Sequence, residues 1–249
     1  MLSQAAPLLI VVKIYFATLP EAFSFNRSQE NVLQLQKNNF MKNESETLRL
    51  AQPVNDKDHV LGPPSAPATL VEYGDYECIY CRQLHPMLQE IMSRTEGVRL
   101  VYRHFPISKV HPHAERAIEA AEAADAQGRF WQMHDALFEQ DHQLDDKGLA
   151  RSARKAGLDM ERYTREMAEG IYAGRGREAF KTALYGGGVT GTPTLYLNEV
   201  RFSNIQSLEA LLEAVITAGA TFHPVASERA GWLSRLRDFR RGMTRLHLL

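Results

Sequence analysis

The chain's two cysteines stand three residues apart, as Cys78-Ile79-Tyr80-Cys81. A pair so spaced can close a reversible disulfide, or it can supply half of a zinc site. Zinc needs two further ligands. His85, His104, His111 and His113 are candidates, but no second CxxC and no HxxxH pattern accompanies them. The disulfide asks only that the pair sit at the start of a helix. There, unpaired amides and the helix dipole favour an anion, so Cys78 loses its proton below the free value of about 8.5. Cys81, close to the same helical face, brings its sulfur within bonding geometry. Cys78 is then the attacking thiolate and Cys81 the resolving thiol. The pair carries its own redox equivalent, so no metal or organic cofactor is expected.

The flanking sequence supplies that helix start. Ala68-Thr69-Leu70-Val71-Glu72-Tyr73 reads as a strand, broken by Gly74-Asp75, and a helical pattern begins near Cys78 and runs to about Arg94. Leu84, Met87, Leu88 and Ile91 share one face of it. Val98–Arg103 forms a second strand, completing the start of a parallel βαβ unit. From His113 to about Tyr185 only helices are expected: an Ala-rich one to Gln127, then Phe130–Gln140, then Lys147–Ala156. A long fourth is capped by Asp159 and carries Tyr163, Met167 and Ile171 on one stripe. Thr194–Asn198 and Val200–Phe202 read as a hairpin turning at Asn198-Glu199, and a helix over Ser207–Ala218 closes the domain. The expected class is α/β, in the order β-α-β, helical insertion, β-β-α.

Lys and Arg number 29 against 30 Asp and Glu, a formal charge of −1, so no global field draws nucleic acid. Residues 1–52 are polar and weakly anchored and read as a loosely ordered extension. Its apolar stretch Ala5–Val12 makes a poor secretory signal, since no basic residue precedes it and Pro7 interrupts it; cytoplasm and cell envelope both stay open. The main domain is expected over 53–221. Residues 222–249, with Trp232, Leu236, Phe239 and Met243 among six arginines, form a basic amphipathic helix. It suits weak contact with an anionic membrane or a partner, or docking on its own domain.

The stretch Leu70–Cys81, together with Arg103-His104-Phe105-Pro106, His111-Pro112-His113-Ala114 and Gly188–Thr194, resembles the DsbA-like branch of the thioredoxin superfamily. The resemblance runs from about Asp58 to Val215. It implies a thioredoxin fold with a helical insertion, a redox pair at Cys78 and Cys81, and a cis-proline at Pro193, X-Pro bonds being the ones for which cis is cheap. The backbone of Thr192 would then pair with an extended substrate segment. Glu72, six residues before the first cysteine, would lie beneath the pair and relay a proton for the resolving thiol. Tyr80, exposed between the cysteines, would touch substrate. His104, His111 and His113 are expected to be structural. Many relatives carry proline after the first cysteine where this chain has Ile79, which leaves the redox direction open. The partners implied are protein thiols or disulfides and a second protein that resets the pair; a redox-inactive peptide-binding module of the same fold is the alternative.

Overall fold

The computed structural model describes residues 49–140 and 143–223. Most of the expected N-terminal extension and almost all of the expected C-terminal helix lie outside them.

The sheet has the order β1-β4-β2-β5-β6, built from β1 (His59–Leu61), β2 (Ala68–Gly74), β4 (Val98–His104), β5 (Thr194–Leu197) and β6 (Val200–Phe202). β2 is central: it runs parallel to β4 and antiparallel to β5. Side chains alternate across a strand. Ala68 and Leu70 therefore pack with Leu84, Leu88 and Ile91 of helix α1 (Ile79–Arg94) and with Leu211, Leu212 and Val215 of the last helix, over Leu208–Thr217. Val71 and Tyr73 pack on the opposite face with Val101, Phe105, Val189 and Tyr196. Glu72 belongs to the first set, so its carboxylate turns toward the face that α1 covers.

The insertion comprises α2 (Ala114–Asp125), α3 (Phe130–Glu139), α4 (Asp146–Lys155), α5 (Met160–Glu169) and α6 (Arg175–Lys181), the last running into a π turn over Thr182–Gly186. Buried alanines of α2, including Ala117, Ala121 and Ala124, share a core with Met133, Leu137, Leu149 and Tyr163. Asp145 caps α4 by accepting from Gly148 N at 2.8 Å, and Asp159 caps α5 by accepting from Glu161 N and Arg162 N. The long fourth helix read from the sequence is corrected here. Gly170, at φ 63°, ends α5 in the left-handed conformation that glycine adopts without penalty. Ile171 is consequently exposed rather than part of the stripe.

The hairpin turns where expected, with Asn198 at φ 46° and Glu199 at φ 69°, the pair of positive values a tight two-residue turn requires. Three short strands escaped the sequence reading: β1, and the pair β3 (Thr95–Glu96) with β7 (Thr221–Phe222). The end of the expected loose extension is also anchored. Arg49 bridges Val200, Leu50 N donates to Glu199 O at 2.7 Å, and the Leu50 side chain is buried.

Candidate active site

Cys78 occupies the position just before the first turn of α1, with extended dihedrals (φ −74°, ψ 122°), so the free amides of that turn converge on its side. The turn that delivers it is held by two carboxylates. Asp75 is buried; it accepts from Glu77 N at 2.9 Å and Ile107 N at 2.8 Å and pairs with His111 Nδ1 at 2.8 Å. Glu77 accepts from His113 N at 2.7 Å and pairs with its Nδ1 at 2.9 Å. These bonds tie the strand-to-helix turn to the segment that follows β4. His111 and His113 thus act through hydrogen bonds, as the sequence suggested.

Both thiols are free and buried. The Cys78 sulfur lies 3.6 Å from the Thr192 carbonyl oxygen, and the Thr192–Pro193 peptide is cis. The Cys81 sulfur accepts from Asp75 N at 3.5 Å. Their electrostatics diverge. A hydrogen bond from Cys81 lowers the Cys78 pKa to about 5 against the opposing effect of burial, with the amides of Cys81 and Tyr80 adding to it. Cys81 is pushed well above the usual thiol value, by burial first and then by its hydrogen bond to Cys78 and the charge of Glu72.

Glu72 is 2 % exposed, and its Oε1 has no hydrogen-bond partner. Burial, then the nearby Cys78 charge, raises its pKa to about 8. It stands in register with Tyr102 on one neighbouring strand and Leu195 on the other. Ile79 and Tyr80 are more than half exposed and form an apolar rim beside the buried sulfurs.

Cys78 and Cys81 therefore stand at the head of α1, with Tyr80 between them and the cis Thr192–Pro193 peptide beside Cys78. Asp75 and Glu77 were missed as positioning residues. The available signal was two acids within three positions of a helix-starting cysteine, each followed 36 residues later by the histidine that meets it. His104 pairs instead with Glu122 of α2 at 3.1 Å, as does His59 at 2.9 Å. Among the described residues, the groups whose metal-binding atoms converge contain neither cysteine.

The thioredoxin family matches residues 54–216. A thioredoxin-like oxidoreductase from Silicibacter pomeroyi is 30% identical, with a TM-score of 0.57, and the match covers 66% of this chain and 93% of that one. Oxidised BdbD from Bacillus subtilis shares the fold at 20% identity and a TM-score of 0.59, over 69% of this chain and 97% of that one. A Na(+)/H(+) antiporter, NhaA 3 of Salinispora tropica, is 43% identical over 166 residues, 67% of this chain. The chain spans about a quarter of the length of such curated relatives, and among the described residues no helix is long and apolar enough to cross a membrane. With this fold around the cysteine pair at the head of α1, the chain belongs to the thioredoxin family.

Proposed function

We propose that this thiol-disulfide oxidoreductase acts on protein clients through a covalent bond to Cys78, with Cys81 as resolving thiol and Glu72 as its proton acceptor. The observation that carries the reading is the opposite displacement of two adjacent thiols, one lowered to about 5 and its neighbour raised. At neutral pH Cys78 is a thiolate and Cys81 is not.

In the reducing direction the Cys78 thiolate attacks a client disulfide, one client sulfur leaves as a thiolate, and a mixed disulfide forms. Cys81 then passes its proton to Glu72 and attacks the Cys78 sulfur. The second client thiolate leaves, the client is reduced, and the Cys78–Cys81 disulfide is the oxidised product. In the oxidising direction the same steps run backwards. A thiolate as stable as Cys78 is a good leaving group and favours the reduced enzyme, so we assign the oxidising direction as dominant. The potential expected is more oxidising than about −200 mV. A separate redox protein must then reoxidise the pair. The Thr192 backbone, beside Cys78, suits strand pairing with an extended client, and the Ile79–Tyr80 rim suits its apolar side chains.

Ion transport is the activity in the names of the longer antiporter relatives; in such a protein this portion would supply thiol exchange.

The test is trapping. Cys81→Ser should accumulate client mixed disulfides on Cys78, visible on non-reducing gels after acid quenching, and Cys78→Ser should accumulate none. Equal trapping by the two variants, or a requirement for added zinc, would overturn the division of roles.

A further inference from the structure

We propose that His85, His134 and Asp135 form a three-ligand site for a divalent transition-metal ion of the Zn2+ type, between the catalytic helix α1 and helix α3. One potential ligand atom from each of these residues lies within 4.8 Å of the others. His85 is 6 % exposed, and its Nε2 has no hydrogen-bond partner although Asp135 Oδ1 stands 3.4 Å away. That separation is long for a hydrogen bond of this kind. It is close to the edge of a tetrahedron with metal–ligand bonds of about 2.0–2.1 Å, which is about 3.3–3.4 Å. A buried ring nitrogen without a hydrogen-bond partner thus stands at ligand spacing from a carboxylate oxygen.

The surroundings fit the same chemistry. Metal-bound imidazoles need a free ring nitrogen, and both rings are buried, His85 at 6 % and His134 at 2 % exposure. The Tyr76 hydroxyl lies 3.3 Å from His134 Nδ1 and fixes that ring's orientation. Asp135 is 44 % exposed at its side chain, which gives an ion a way in. Glu139, one turn further along α3 and held by Lys155, is a further carboxylate whose charge acts on His85. Two imidazoles and a carboxylate with a position left for water suit zinc better than calcium or magnesium, which prefer all-oxygen shells.

The other convergent group, His59, His104 and Glu122, is built differently. There Glu122 Oε1 already meets both imidazoles at 2.9 and 3.1 Å, and Arg175 pairs with the other carboxylate oxygen. Protons and a guanidinium occupy the places an ion would take.

The experiment uses the full chain carrying Cys78→Ser and Cys81→Ser, so that thiolates cannot bind the probe and the result is independent of the redox reading. Calorimetric titration with Zn2+ at pH 7 should give one ion per chain with a raised Tm. Asp135→Asn, at a half-exposed position that leaves folding intact, and His85→Gln should each weaken binding by at least about tenfold. Co2+ substitution should give a visible ligand-field band that His85→Gln removes. Absence of Zn2+ binding, unchanged affinity in both variants, or loss of binding on His59→Ala instead would overturn the proposal.

Discussion

Two buried glutamates, both in the larger folding unit, have opposite fates. Glu72, in the central strand, has a carboxylate oxygen with no partner and a pKa raised to about 8 by burial and the charge of Cys78. Glu122 faces the far edge of the same sheet from α2. Burial pushes its pKa up, but hydrogen bonds from His104 and His59 outweigh that and hold it well below the ordinary carboxylate range. The residue type is the same and the exposure similar, at 2 % and 6 %. What differs is the supply of donors. A satisfied buried carboxylate fastens elements together; an unsatisfied one is held near the point of taking up a proton, which is what a proton acceptor for a thiol needs.

The largest effect is expected at Glu122. Its side chain joins β1, β4 and α6 to α2, so Glu122→Gln should lower stability on the order of 3 kcal/mol, measured by urea unfolding at pH 7. The carboxylate pKa is depressed in the fold, so its contribution is present above the unfolded value of 4.5 and is lost as pH falls below it. The variant should therefore flatten the acid limb of the stability profile. A variant as stable as wild type at pH 7 would erase the contrast between the two glutamates.

Glu72→Gln should leave the fold intact and slow the second exchange, attack by Cys81, on the order of 100-fold in single-turnover decay of the mixed disulfide. In the wild type that step should accelerate as rising pH ionises Glu72, at a pH below the value of about 8 that holds with Cys78 charged, because the mixed disulfide removes that charge, and the variant should lack the inflection. Identical kinetics between pH 6 and 9, a window of roughly three units around the thiol range, would remove Glu72 from the reaction.

The same substitution should raise stability relative to the wild type more at pH 8 than at pH 5. A raised carboxylate pKa gives stability that is complete below 4.5 and declines as pH rises toward about 8, so the gain of the variant grows across that interval. Thermal melts of the reduced protein at pH 5 and 8 would read it.

The smallest change is expected at Asp75, a third buried carboxylate and one that is bonded. Asp75→Asn keeps the shape but weakens the bonds to Glu77, Ile107 and His111, for a loss of about 1.5 kcal/mol in urea unfolding. Trapping should stay confined to Cys78. If Asp75→Asn instead slowed the Cys81 step as much as Glu72→Gln, the distinction between bonded and unbonded carboxylates would fail.

Much of this arrangement was legible before any coordinates. The break at Gly74-Asp75 put the cysteines at a helix start, and the Asn198-Glu199 turn fell where the hydrophobic alternation reversed. Glu72 came from the family resemblance, which implies an acid beneath the pair six residues before the first cysteine. Other features depend on partners distant in sequence. β1 is three residues beside Gly62-Pro63 and exists because β4 offers it an edge; β3 and β7, two residues each, exist only through each other. Local pattern has no access to such pairings. Glu122 sits in an Ala-rich helix that reads as an ordinary amphipath, and only the fold brings His59 and His104 to it. Ile171 continued a regular stripe, and Gly170 outweighed the periodicity because a left-handed residue ends a helix whatever follows.

The pairing of residues 49–50 with the β6 end of the hairpin has a consequence for self-association. An open sheet offers unpaired amides and carbonyls at both rims, and such rims recruit strands from other molecules. Here one rim is the three-residue β1, and at the other Arg49 and Leu50 take up part of the hydrogen-bonding capacity of the Glu199–Val200 backbone. Both rims are also short, three residues each in β1 and β6. Under the proposed function, the backbone beside Cys78 is then the place for a client strand to pair.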